Sequence, residues 1–126
     1  MGILKGTIYS KMYNSKIPNN SILKISLIET YKGSPAIKLI GKLEVSNPQS
    51  FPIKYELEYD DNETKKLDST FYLNVLIKKE RANLFSNESK SKQTSHDNEY
   101  GDFLGRAGRM RRHLDIYLNT CEMKIR

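Results

Sequence analysis

Tryptophan is absent from this chain of 126 residues, and cysteine occurs once, at Cys121. A single cysteine excludes an internal disulfide. It also sets the chain apart from disulfide-rich secreted domains and points to a reducing compartment. Histidine occurs only as His96 and His113, which leaves little for metal or acid–base chemistry. No apolar run approaches the ~18 residues of a membrane span. Met1 to Thr7 has no apolar signal-peptide region. Met1-Gly2 opens like an acylation signal, but Gly6 stands where Ser or Thr is required. The expected location is cytoplasmic, or extracytoplasmic if the chain is a trimmed mature form.

What is present is strand-like periodicity. Phe51, Ile53, Tyr55, Leu57 and Tyr59 alternate with Pro52, Lys54, Glu56 and Glu58. Alternation of that kind places one face on a core and the other in water. Phe71, Leu73, Val75 and Ile77 repeat the pattern, as do Leu23, Ile25 and Leu27. In the run Ala36 to Val45, the spacing puts Ile37, Leu39, Leu43 and Val45 on one face. Leu4 to Tyr9 is a shorter strand candidate, and Leu84-Phe85 a weak one. Turn chemistry separates these runs at Ile17–Asn20, Lys32–Pro35, Ser46–Gln49 and Asp60–Asn62. The fold class expected is all-β: one domain spanning 1–126, an antiparallel β-sandwich of about seven strands, immunoglobulin- or transthyretin-like.

The pattern stops after Ser86. Residues 87–112 read as a polar, then Arg-rich, loop insertion before the last strand. Two readings of 103–118 stand side by side. Phe103, Ala107, Met110, Leu114 and Tyr117 have helical spacing, but Gly105 and Gly108 would each cost about 1 kcal/mol inside a helix. The alternative is a loop to Arg112, then a strand with Leu114, Ile116 and Leu118 inward.

Catalytic constellations are lacking. Ser95-His96-Asp97 has triad residue types, but consecutive side chains cannot converge as a triad does. Asp60-Asp61-Asn62-Glu63 lacks the Gly and distal Glu of a calcium loop. His96, His113 and Cys121 would meet as zinc ligands only by accident of the fold. No Gly-rich phosphate-cradling fingerprint follows a strand. The chain is therefore expected to be no enzyme and to hold neither metal nor cofactor. The net charge of +6 gathers in part at Arg106, Arg109, Arg111 and Arg112. Such a cluster docks an acidic partner, neutralises phosphates, or guards a strand edge by charge.

The order of the pieces resembles a known family. Gly6-Thr7-Ile8-Tyr9 precedes Ile17-Pro18-Asn19-Asn20-Ser21 and the strand Leu23 to Glu29; Phe51-Pro52-Ile53-Lys54-Tyr55 and Tyr72-Leu73-Asn74-Val75-Leu76-Ile77 follow. This is similar to the bacterial type III secretion pilotin-like lipoproteins, from Ile3 to Ile77 and more loosely from Asn83 to Asn119. The resemblance implies a β-sandwich, favours the strand reading of Leu114 to Leu118, and implies a role like that of chaperones for outer-membrane secretins. No cysteine precedes the first strand, so no functional residue carries over. The expected function is a non-enzymatic, protein-binding or chaperone-like module. The alternative is a nucleic-acid-binding domain using 106–112.

Overall fold

The computed structural model describes residues 2–12, 15–31, 33, 37–60, 69–87 and 101–121. Eight strands fill most of that length: β1 (Gly2–Ser10), β2 (Ile22–Tyr31), β3 (Ile37–Ser46), β4 (Ile53–Tyr59), β5 (Ser69–Lys79), β6 (Ala82–Ser86), β7 (Asp102–Arg106) and β8 (Ile116–Thr120). Among the described residues there is no helix. The strands follow one path, β3-β2-β5-β6-β8-β1-β4, with β7 beside β5.

The all-β expectation holds, but the sandwich is replaced by a mixed sheet nearly closed into a barrel. Two features make the difference. β8 runs parallel to β1, with Ile8 opposite Ile116, while its other side pairs with β6. It therefore stitches together two layers that a sandwich keeps apart. At the opposite seam β3 approaches β4, where a Cβ on Gly41 would lie 3.1 Å from the Glu58 carbonyl oxygen. The other pairings are antiparallel.

The inward faces match the alternation read from sequence. Leu23, Ile25, Leu27, Tyr55, Leu57, Tyr59, Phe71, Leu73, Val75 and Ile77 are buried. Ile53 and Phe51 are half-buried against them, Phe51 meeting Phe85 edge-on at 5.0 Å. Leu57→Ala is expected to cost about 2–5 kcal/mol, the range for emptying a core leucine site. Glu56→Ala removes only an exposed pair with Lys5 at 3.4 Å and should cost under ~1 kcal/mol. Urea melts of the two variants check this, and equal midpoints would mean the strand face is misassigned.

β3 departs from expectation. The register steps from Leu27 opposite Gly41 to Ile28 opposite Leu39, leaving Ile40 as the extra residue of a bulge. A bulge shifts the two-residue period, so the faces exchange. Leu43 and Val45 pack against the core with Ile40, whereas Ile37 and Leu39 turn to solvent at 52% and 53% exposure.

The end of the chain follows the strand reading, not the helix, but the loop expected up to Arg112 is interrupted by a strand, β7, whose backbone pairs with β5. Ile116 and Leu118 are fully buried and Tyr117 is exposed, with Leu114 partly buried. Leu84-Phe85 belongs to β6. Two turn signals lock to each other: the Asn20 amide donates to Asn47 Oδ1, and the Asn47 amide to the Ser21 carbonyl. Both asparagines sit in the left-handed region, which Asn tolerates better than most residues. Of the insertion expected over 87–112, residues 88–100 lie outside the described residues, as do His96 and most of the acidic turn after Asp60.

Candidate protein-binding surface

The Arg-rich segment forms a tight reversal. The Arg109 amide donates to the Arg106 carbonyl, and the Arg111 amide to that of Leu104. Gly108, at φ +83°, supplies the positive φ needed at the third residue of that turn. Arg106, Arg109, Arg111 and Arg112 are all exposed. The two ends of the segment lie against different strands, however. Arg106 is opposite Thr70 on β5, while the Arg112 carbonyl accepts from Lys5 on β1.

Beyond Arg112 the chain crosses β1 at Gly6. The Leu114 amide donates to the Lys5 carbonyl, and the Leu114 carbonyl accepts from Tyr55 Oη at 2.6 Å. Gly6 allows this crossing, because a Cβ there would collide with the Leu114 carbonyl. The Tyr55 phenol is pushed well above its ordinary pKa, first by burial, then by the negative charges of Asp115 and Asp102. Its folded pKa therefore exceeds the unfolded one. The stability it contributes is present below the ordinary phenol pKa near ~10 and is lost as pH rises through the folded value. Tyrosinate absorbance during an alkaline titration should show a phenol that ionises only with unfolding, and Tyr55→Phe should abolish that late component. Ionisation of every tyrosine in the folded protein near ~10 would contradict this.

Two inward polar side chains escaped the sequence reading. Asn87 fills the gap between β6 and β7 along β5: its Oδ1 accepts from the Val75 amide, and its Nδ2 donates to the Leu73 carbonyl and to Asp102 Oδ2. Burial raises the Asp102 pKa, opposed by that hydrogen bond and by the charge of Lys11. Glu29 continues the inward register of Leu23, Ile25 and Leu27 and is fully buried. It accepts from Ser69 Oγ at 2.7 Å and Tyr31 Oη at 3.0 Å. Buried hydrogen-bonded side chains of this kind fix register. Among the described residues no three His, Cys, Asp or Glu side chains gather as a metal site. His113 is exposed and sits 3.1 Å from Asp115, and Cys121 is half-buried.

The surface feature that stands out is apolar. On the outer face, Leu39 of β3 is opposite Ile28 of β2, Ile28 is opposite Tyr72 of β5, and Tyr72 is opposite Phe103 of β7. The two rings meet edge-on at 5.9 Å. Ile37 extends the row at its β3 end, opposite Thr30. Leu39, Ile37 and Phe103 are exposed, while Ile28 and Tyr72 are half-buried. A contiguous exposed apolar row marks an interaction site more often than scattered apolar residues do. Sequence reading missed it because plain alternation sends Leu39 to the core; the one clue was Gly41 interrupting the run.

No family model and no curated protein matches the sequence. Among solved structures, that of an alternative pilotin from the type II secretion system of Vibrio cholerae matches with a TM-score of 0.74. The match covers 96% of this chain and 97% of that one, at 13% sequence identity. The chain thus has the fold of a secretion pilotin, as its sequence resemblance implied, although the solved counterpart serves a type II system.

Proposed function

We propose that this chain is a protein-binding, chaperone-like module of the pilotin kind, acting outside the cytoplasm and carrying out no chemistry of its own. The observation that carries this reading is the likeness to a pilotin over nearly the full length of both chains. An extracytoplasmic setting fits that likeness better than the cytoplasmic one suggested by the lone Cys121, since one thiol forms no internal disulfide in either compartment. The exposed apolar row gives such a module something to bind with. Nucleic-acid binding by 106–112 gains no support from the fold match, and the first and last arginines of the segment, Arg106 and Arg112, lie against different strands.

The test is recovery of the tagged chain from cross-linked source cells at moderate salt, followed by mass spectrometry. One protein in fixed stoichiometry is expected. Nuclease-sensitive material that washes off with salt, or no partner at all, would overturn the reading.

A further inference from the structure

Residues 111–113 sit between two strands. The Arg111 amide donates to the Leu104 carbonyl of β7, the Arg112 carbonyl accepts from Lys5 of β1, and His113 is bridged to Lys5. On the far side of β1 lies β4. Exposed cations therefore follow one another across neighbouring segments: Arg106 on β7, then Arg111 and Arg112, then Lys5 on β1 and Lys54 on β4. Three strand spacings of about 4.8 Å give this belt a length of about 14 Å. Arg109 stands in the turn beside it. Its neighbour Gly108 has no atom within 4 Å of a Cβ position, so the turn projects into open space.

The belt is short of acid. Among the described residues none of the four arginines is in an ion pair, and neither is Lys54. Only Lys5, 3.4 Å from Glu56, and His113, 3.1 Å from Asp115, have a carboxylate close by. The turn is also short of apolar anchors. Ala107 and Met110 are half-buried and pack against the core, and no aromatic ring lies between Leu104 and His113. A protein partner would need such anchors at the centre of its contact. Single-stranded nucleic acid would need rings to stack on, and a duplex a helix or ribbon to enter its groove. A plane of phosphates needs neither, only exposed cations that meet several headgroups at once. Beside Arg112 a concavity of about 450 Å³, lined by Lys5, Thr7, Lys54, Glu56 and His113, leaves room for one headgroup. We infer that the turn from Arg106 to Arg112, with Lys5 and Lys54 beside it, binds an anionic phospholipid surface through the headgroup phosphates. This contact goes beyond the protein-binding reading and does not depend on it.

The full chain is mixed with vesicles of phosphatidylglycerol and phosphatidylcholine in equal parts, and with vesicles of phosphatidylcholine alone. Binding is read by sedimentation. The chain should bind the anionic vesicles only, and more weakly as salt is raised. Each basic residue near such a surface strengthens partitioning about fivefold. Arg106→Ser, Arg109→Ser, Arg111→Ser and Arg112→Ser together should therefore weaken it at least about a hundredfold. Lysine at the same four positions should stay within about fivefold of wild type, because a lipid surface reads charge more than the guanidinium fork. Melting temperatures should hold, since the segment is fixed by backbone bonds. If the fourfold serine variant melts early, Arg109→Glu alone provides the comparison, with a loss of at least about tenfold.

Several results would overturn the assignment. They are no binding of the anionic vesicles, equal binding of phosphatidylcholine alone, and wild-type binding by a folded serine variant. A lysine variant as weak as the serine one would point instead to bidentate capture of a carboxylate. Tighter binding of poly-glutamate or of a short oligonucleotide at the same salt would give the belt to an acidic protein or to nucleic acid. Vesicle binding without any cellular protein complex would leave this contact standing and remove the protein-binding reading. A cellular complex without vesicle binding would do the reverse.

Discussion

Alanine at position 6 is expected to destabilise this protein by about 3 kcal/mol or more, at or beyond the upper end of ordinary overpacking costs. The added methyl would collide with the Leu114 carbonyl oxygen and lie 2.7 Å from its carbon and 2.8 Å from Tyr55 Oη. The obstacle is backbone, so it cannot swing aside as a long side chain can. Nor is that backbone free to shift. Leu114 donates to the Lys5 carbonyl, Lys5 donates to the Arg112 carbonyl, and Tyr55 donates to the Leu114 carbonyl. Displacing Leu114 would therefore break several bonds together and pull at the start of β8, whose Ile116 and Leu118 are fully buried. Gly33→Asn is the matched control, because no atom lies within 4 Å of a Cβ there and Asn tolerates its φ of +78°. Urea melts should separate the two variants clearly. A Gly6→Ala midpoint close to wild type would mean that the crossing at Leu114 yields easily to an added methyl.

Most of this architecture was legible because its strands obey a strict two-residue period. Leu23 to Leu27, Tyr55 to Tyr59 and Phe71 to Ile77 each place every second residue on the core, and the structure buries them as the pattern requires. What was not legible depends on contacts between distant segments. The parallel partnership of β1 and β8 joins Ile8 to Ile116, and no local spacing announces a pairing across that separation. Gly6 resembles any strand glycine until the carbonyl that crosses it is known. The bulge at Ile40 belongs to the same class: one unpaired residue exchanged the faces of Ile37 and Leu39 and converted two expected core residues into part of an exposed stripe. Arg106, Arg109, Arg111 and Arg112 are all exposed, but that Arg106 lies against β5 and Arg112 against β1 could not be seen in their order.

Asn87→Ala is expected to be nearly as damaging as Gly6→Ala, although it removes only a small side chain at the end of β6. It would strand the Val75 amide and the Leu73 carbonyl, both bonded to the Asn87 side chain at 2.7 Å in a buried setting. Each buried group left unsatisfied costs about 1–3 kcal/mol. It also removes a donor from Asp102, whose pKa burial already raises. A raised carboxylate pKa means that the stability from the protonated form is lost as pH rises through the folded value. Without the Asn87 donor the ionised form is held still less well, so the penalty of Asn87→Ala should be larger near neutral pH than near ~4. Asn87→Asp separates the two contributions. Its carboxylate still accepts from the Val75 amide, but it no longer donates to Leu73 and it faces Asp102 with like charge. That variant should approach wild-type stability only in acid and lose it steeply as the pH is raised, since two carboxylates in contact resist ionising together. Thermal melts of the wild type and both variants across that range test the argument. A pH-independent gap for Asn87→Asp would show that Asp102 does not feel the residue at 87, and that the plug between β6 and β7 works through Val75 and Leu73 alone.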